Sequence, residues 1–246
     1  NKGKIVSVRR TRRFWFERYR WGIVGPGRLM VGGRDARGND AVVKRHLSTG
    51  DLYLHADLHG AASCALKRLD GLEPREDDDI ASEGVCNFKI VQSINGAPED
   101  LQMLSEDEKE EAAALAACWS RAWGAGSAAA TAFHVRPSQV SKATESGEAL
   151  GRGSFVVRGN RGWHRDLVLK MAIGLGTVNG IPMPVPGSVS AIGNLCSRWA
   201  EITPGREKKE DVARRISKAT GLDHGEVLAA LPSGNCDLID HGLLKA

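Results

Sequence analysis

Residues 32–67 limit the architectures open to this chain more than any other stretch. Between Asp51 and His59, Leu52, Leu54, Ala56 and Leu58 occupy every second position, with Tyr53, His55, Asp57 and His59 in the alternate ones. A period of two marks a β-strand with unlike faces, because successive side chains leave the backbone on opposite sides. Just upstream the period changes. Gly32 and Gly33 end an extended run, Asp35 stands where a side chain can cap a helix, and Ala41, Val42, Val43 and Leu47 carry that helix towards Gly50. Strands are expected on both sides of it: 21–24 and 29–31 make a hairpin around Gly25, Pro26 and Gly27, and 63–67 supplies a partner strand.

The remaining chain extends the same mixture. Ser105 with Glu108 forms a capping box ahead of an alanine-rich helix over 106–123, whose Ala112, Leu115, Ala116, Trp119 and Trp123 share one face. Strands are predicted at 88–93, 132–135 and 154–158, and 167–176 reads as one apolar strand-like run. Loops are predicted at 72–81, 96–98 and 146–153. Pro182, Pro184 and Pro186 mark a boundary, and beyond it come a strand at 199–203, a charged helix at 208–220 and a second helix at 226–231. The pattern predicts an α+β fold: a mixed, largely antiparallel sheet core with packed helices and a small C-terminal α/β appendage.

Composition excludes several classes. A chain of 246 residues with 41% hydrophobic and 26% charged residues can bury a full core, so disorder throughout is excluded. No run approaches the roughly 18 apolar residues of a membrane span, and the N-terminus is polar and basic without an apolar signal core, which makes cytoplasm the default compartment. The five cysteines are scattered with no C-x-x-C pair, as expected of reduced core thiols. The net charge of +4 is small but unevenly spread. Basic residues crowd the first twenty positions and acidic ones collect at 73–79 and 106–111, an arrangement that suits an oriented contact with an anionic partner.

Three groups of residues are candidates for that contact. Phe14, Trp15, Phe16, Tyr19 and Trp21 interleave with Arg12, Arg13, Arg18 and Arg20. Such a mixture can stack on unpaired bases, but rings at this spacing more simply plug a core while the arginines face a partner. His55, Asp57 and His59 would share a side of the predicted strand if it runs that far. They could hold a metal or move a proton, yet with no fourth ligand at a recognisable spacing a hydrogen-bonded row bracing a sheet edge is preferred, with contact to a nucleic-acid backbone between the two. A second basic cluster, Arg136, Lys142, Arg152, Arg158, Arg161 and Arg165, has few acids nearby. Gly32 and Gly33 before a helix can cradle a phosphate, but helix capping by Asp35 explains the motif without one.

In order along residues 12–159 stand FWFERYRW, GGRDARGND, VKRHL, DLYLHADLHGA, SRAW, QVSK, SGEAL and GSFVVRG. These eight blocks resemble the NFACT-R domain of the NFACT (NEMF) family of ribosome quality-control factors. The tail, with ITPG, a charged helix and ALPSG, is similar to the C-terminal piece of archaeal members. The resemblance implies binding to obstructed large ribosomal subunits and to tRNA, in rescue of stalled translation and untemplated tailing of the nascent chain. It divides the chain into the end of a coiled coil or linker (1–11), an NFACT-R domain (12–187) and a small C-terminal α/β domain (198–246). The family's N-terminal domain, helix-hairpin-helix region and long coiled coil are missing, so the resemblance implies a C-terminal half, whose N-terminal partner is on the same or another chain, or a standalone protein. The residues tied to tailing belong to the missing part. Ala143, Thr144 and Glu145 also lack the proline expected of the family.

The expectation is a cytoplasmic, ribosome-associated RNA-binding module rather than an enzyme, with tRNA and large-subunit RNA as partners and no cofactor or metal. Its contacts are expected at Arg12, Arg13, Arg18, Arg20, Arg34, Lys44, Arg45, Lys142 and Arg158, with His55 and His59 secondary. The alternatives are a metal-assisted RNA hydrolase built on His55, Asp57 and His59, and a standalone nucleic-acid or protein-interaction domain.

Overall fold

The hairpin at residues 20–32 seeds the sheet. In a computed structural model, which describes residues 10–75, 84–94, 100–144 and 150–245, β1 (Arg20–Val24) pairs with β2 (Arg28–Gly32) in unbroken antiparallel register. Gly27 takes a φ of +124°, and a Cβ there would overlap the Leu72 carbonyl, so the turn requires glycine. Ahead of the hairpin the aromatic run forms a single 3-10 turn, Trp15–Arg18, shorter than an amphipathic helix. Its rings do plug the core: Phe16, Tyr19 and Trp21 are buried, while Arg12, Arg13 and Arg18 stay exposed.

After β2 the chain reverses through Gly33 into α1 (Ala36–Ala41), and Asp35 caps it by accepting a 2.7 Å bond from the Gly38 amide. A π-helical turn, Val42–His46, follows and ends at Leu47. Next come β3 (Leu52–Ala56), β4 (Cys64–Pro74), β5 (Cys86–Val91), α2 (Glu106–Cys118), α3 (Arg121–Gly124) and β6 (Ala129–Val135). The short strands β7 (Val140–Ser141) and β8 (Val156–Val157) pair with each other outside the main sheet. The last elements are β9 (Gly162–Val168), β10 (Met171–Val178), β11 (Ile181–Gly187), α4 (Val189–Leu195), β12 (Trp199–Pro204), α5 (Lys209–Thr220), α6 (His224–Ala230) and β13 (Cys236–His241).

The fold is α+β. The main sheet runs β13-β12-β10-β11-β1-β2-β4-β3-β6-β9, and β5 bridges β10 and β4. Strands β10, β11, β1, β2, β4 and β5 therefore close a ring. Only the β1–β11 and β5–β10 pairings are parallel among the main-sheet ladders. One cluster draws a buried side chain from every ring strand, among them Ile23, Leu29, Leu72, Phe88, Val178 and Val185, and it fills the ring as a closed sheet demands. A second cluster packs α2 and α5 against the other sheet face. Within it, β12 and β13 continue the main sheet, so the C-terminal α/β piece is attached at the sheet edge.

Several sequence expectations need correction. The helix predicted over 106–123 breaks at Trp119 and Ser120, because the Ser120 hydroxyl donates to the Ala117 carbonyl and caps a new helix by accepting from the Ala122 amide. Residues 72–74 belong to β4, not to an acidic loop. The run 167–176 is two strands that meet at Leu169 and Lys170. Pro182, Pro184 and Pro186 lie inside β11 rather than at a boundary. They sit opposite Thr177, Leu175 and Ile173, and alternate pairs of an antiparallel ladder exchange no hydrogen bonds, so the missing N–H groups break none. The elements α4 and β13 had no counterpart in the sequence reading. The predicted turn at 96–98 and the first half of the loop at 146–153 lie outside the described residues.

Beneath α2, His134 of β6 and His164 of β9 approach Nδ1 to Nε2 at 2.8 Å. Burial, then the His164 and Lys109 charges, pull His134 down to about 4, although Glu106 opposes this; burial also lowers His164, opposed by Glu106 and Glu110. The unfolded chain thus binds more protons between pH 4 and about 6.5, so the pair's contribution is complete above that window and is lost as pH falls through it. Urea midpoints at pH 7 and pH 5 should differ more for the natural chain than for His134→Gln. Equal differences would remove the pair as the cause.

Candidate nucleic-acid interface

The turn that caps α1 also lines a large cleft. Gly33 lies so close to Asn39 that a Cβ would overlap it. Asn39 in turn accepts from the Ser63 amide at 2.9 Å and donates to the Ala61 carbonyl at 3.3 Å. These bonds fix the entry to α1 against the start of β4 and hold Arg34 at the rim. Arg121 lines the same cleft, and it lies just after the break that ends α2. The segment 152–157 brings Arg152, Arg161 lies at the foot of β9, and Arg20 comes from β1.

The cleft encloses about 1010 Å³. Five arginines, Arg20, Arg34, Arg121, Arg152 and Arg161, line it with His55 and His59, against the carboxylates of Asp35 and Asp57. Asp35 is already engaged as the α1 cap. None of the five arginines forms an ion pair among the described residues: Arg20 donates to the Ser233 hydroxyl at 2.7 Å, Arg34 to the Ala229 carbonyl at 3.2 Å, and Arg161 lies 4.6 Å from the Phe133 ring centre. Partial desolvation, and then the like charges of Arg20 and Arg13, lower the proton affinity of Arg34. Lys209 is lowered by burial and by Arg20 and Arg34 in the same way. Cations that outnumber the carboxylates around them make a field that a further anion relieves.

The residues expected from sequence fall into three sets. Arg20, Arg34, His55 and His59 meet in the cleft. Lys44 and Arg45 sit together in a neighbouring shallow pocket with Arg37, Asp40 and Arg152. Arg12, Arg13 and Arg18 are exposed outside the cleft, although Arg13 reaches a small pocket that Arg34 also lines. Lys142 faces inward. It forms a 2.8 Å ion pair with Asp40, donates to the Gly151 and Ser154 carbonyls, and lies over the Phe155 ring, so it holds the 151–155 segment in place. Arg158 donates to the Ala143 carbonyl at 3.0 Å and so ties the same region together.

The His55, Asp57 and His59 row does not form, because β3 ends at Ala56 and the other two residues lie in the turn beyond it. No hydrogen bond joins the three side chains, and no group of three His, Cys, Asp or Glu side chains suited to a metal occurs, among the described residues. Instead His55, held below its ordinary value by burial, stacks nearly parallel on Tyr53 and packs against Phe133. Arg121 and Trp163 were missed from sequence, and Arg152 and Arg161 were noted only as part of a basic cluster. Residues distant along the chain carry no shared local signal, but Arg161, Trp163 and Arg165 recur at the strand period and could have been found.

Comparison with known proteins gives this geometry a context. A family model described as the NFACT protein RNA binding domain matches residues 13–159. The archaeal Rqc2 homolog aRqcH of Methanocaldococcus jannaschii is 28% identical over 233 residues, which cover 94% of this chain and 30% of that protein. The ribosome quality control complex subunit NEMF of Homo sapiens is 34% identical over 158 residues, 64% of this chain and 12% of that protein. The chain thus spans under a third of the length of either relative. A solved structure of the C-terminal part of the fibronectin/fibrinogen-binding protein from Streptococcus suis overlaps with a TM-score of 0.40 at 16% identity, over 65% of this chain and 49% of that one, too distant to carry an argument.

Proposed function

The chain belongs to the NFACT RNA-binding domain family, and from that premise we propose that it is the RNA-gripping module of a ribosome quality-control factor, holding tRNA or large-subunit RNA during rescue of stalled translation. The observation that carries this reading is the cleft of five arginines with no carboxylate partner among the described residues. Guanidinium groups freed from internal ion pairs can neutralise backbone phosphates, and each neutralised phosphate releases condensed counterions. Cytoplasmic, ribosome-associated action follows from the same reading, as does tailing of the nascent chain by a complete factor that includes the family's N-terminal half.

The test is a salt titration. Fluorescence anisotropy with labelled tRNA should show log affinity falling against log salt with a slope of about −3 to −5, as four or five phosphate contacts require. Binding to heparin, a polyanion without bases, should be clearly weaker at 150 mM salt. A slope near zero, or equal affinity for heparin, would remove RNA recognition from the cleft.

A further inference from the structure

Trp163 is 40% exposed on β9, a strand at the end of the main sheet. A large ring on an edge strand invites unwanted pairing unless something covers or uses it. Its surroundings are specific. Arg161 and Arg165, two residues away on either side, place their guanidinium carbons 5.5 Å and 5.6 Å from the Trp163 ring centre. Neither makes an ion pair among the described residues, and the neighbouring Asp166 pairs with neither. Inward, Phe133 meets Trp163 edge-on at 5.3 Å, His55 follows at 5.8 Å from Phe133, and Tyr53 lies 6.3 Å beyond. Rings therefore lead from the exposed edge to the cleft, with Arg161 between Phe133 and Trp163.

A π surface with two guanidinium groups over it and no carboxylate on either matches the chemistry of a nucleotide, whose base can replace a guanidinium against the ring while its phosphates pair with the displaced cation. A continuous duplex keeps its base faces stacked inside and offers this platform no ring to stack on. Building on the RNA-binding reading above, we propose that Trp163 is the stacking platform for an unpaired base, with Arg161 and Arg165 taking the adjoining phosphates, so that RNA reaches the cleft as a single strand or a splayed-out nucleotide. An acidic peptide would satisfy the two arginines but not the ring.

The experiment compares a 12-nucleotide oligoadenylate with a blunt 12-base-pair RNA duplex, by anisotropy at 150 mM salt, for the natural chain, Trp163→Ala and Trp163→Phe. Stacking of one base corresponds to a loss of about 5- to 150-fold on removing the ring. Trp163→Ala should lose that much for oligoadenylate and less than threefold for the duplex, while Trp163→Phe retains most of the single-strand affinity. Thermal melting of each variant shows that the fold persists. Equal losses on both RNAs, or no loss on either, would overturn the stacking platform and leave RNA binding by the cleft intact. If the natural chain binds tRNA but neither of these RNAs, the stacking platform falls and the RNA-binding reading stands; if it binds none of the three, both fall.

Discussion

Asp51→Ala should lower the free energy of unfolding by about 3–5 kcal/mol, the range for breaking a buried ion pair from one side. Asp51 is 2% exposed and Lys67 7%. The Lys67 ammonium donates to the Asp51 carboxylate and, at 2.6 Å, to the His46 carbonyl. The same carboxylate accepts from the Ser48 and Arg68 amides, both at 2.8 Å. One side chain thus joins the end of the π-helical turn, the approach to β3 and the middle of β4. Its removal strands a buried ammonium and two amides, and each stranded group carries its own desolvation penalty. Urea unfolding should show a lower midpoint at an unchanged slope. The pair Asp51→Leu with Lys67→Met should recover much of the loss, since replacing both charges by apolar groups is often close to neutral. A loss under 1 kcal/mol for Asp51→Ala would mean that water reaches the pair.

The same residues separate what a sequence shows from what only a fold assembles. Asp35 and Ser105 were legible as caps because capping is decided within one helical turn. The Gly25, Pro26 and Gly27 hairpin was legible for the same local reason. The three prolines of β11 were misread because their tolerance depends on which neighbour each backbone nitrogen faces, a property of register rather than of composition. The alternation through His59 overshot because β3 ends where the chain turns at Asp57 towards β4, and the period of two cannot announce its own end. Lys142 looked like one more cation in a cluster until Asp40, about a hundred positions away, came to its side. Arg20, Arg34, His55 and His59 stand out singly in the sequence, but their meeting in one cleft is not legible in one dimension. Its arginines come from β1, the α1 turn, the α2–α3 break and the approach to β9, brought together only when β3 and β6 pair in the sheet.

That assembly sets the largest effect expected on tRNA binding. Arg34 and Arg121 both line the cleft, both are exposed, and neither is in an ion pair among the described residues. Arg34→Ala with Arg121→Ala should therefore leave stability within about 1 kcal/mol. It should weaken tRNA binding about 10- to 100-fold at low salt and flatten the salt slope by nearly two, as the loss of two phosphate contacts requires. A change in net charge alone would also weaken binding, so the control must remove the same charge elsewhere. Arg214 and Arg215 on α5 serve, because they pair with Asp211 and Glu207 and lie outside the cleft. Their double alanine variant changes net charge equally and should lower affinity less than threefold. If the two double variants weaken binding alike, affinity follows overall charge rather than place. A loss confined to the cleft variant means that the field needing an anion is local, held by the Gly33 turn and the Ser120 helix break that bring Arg34 and Arg121 into one cleft.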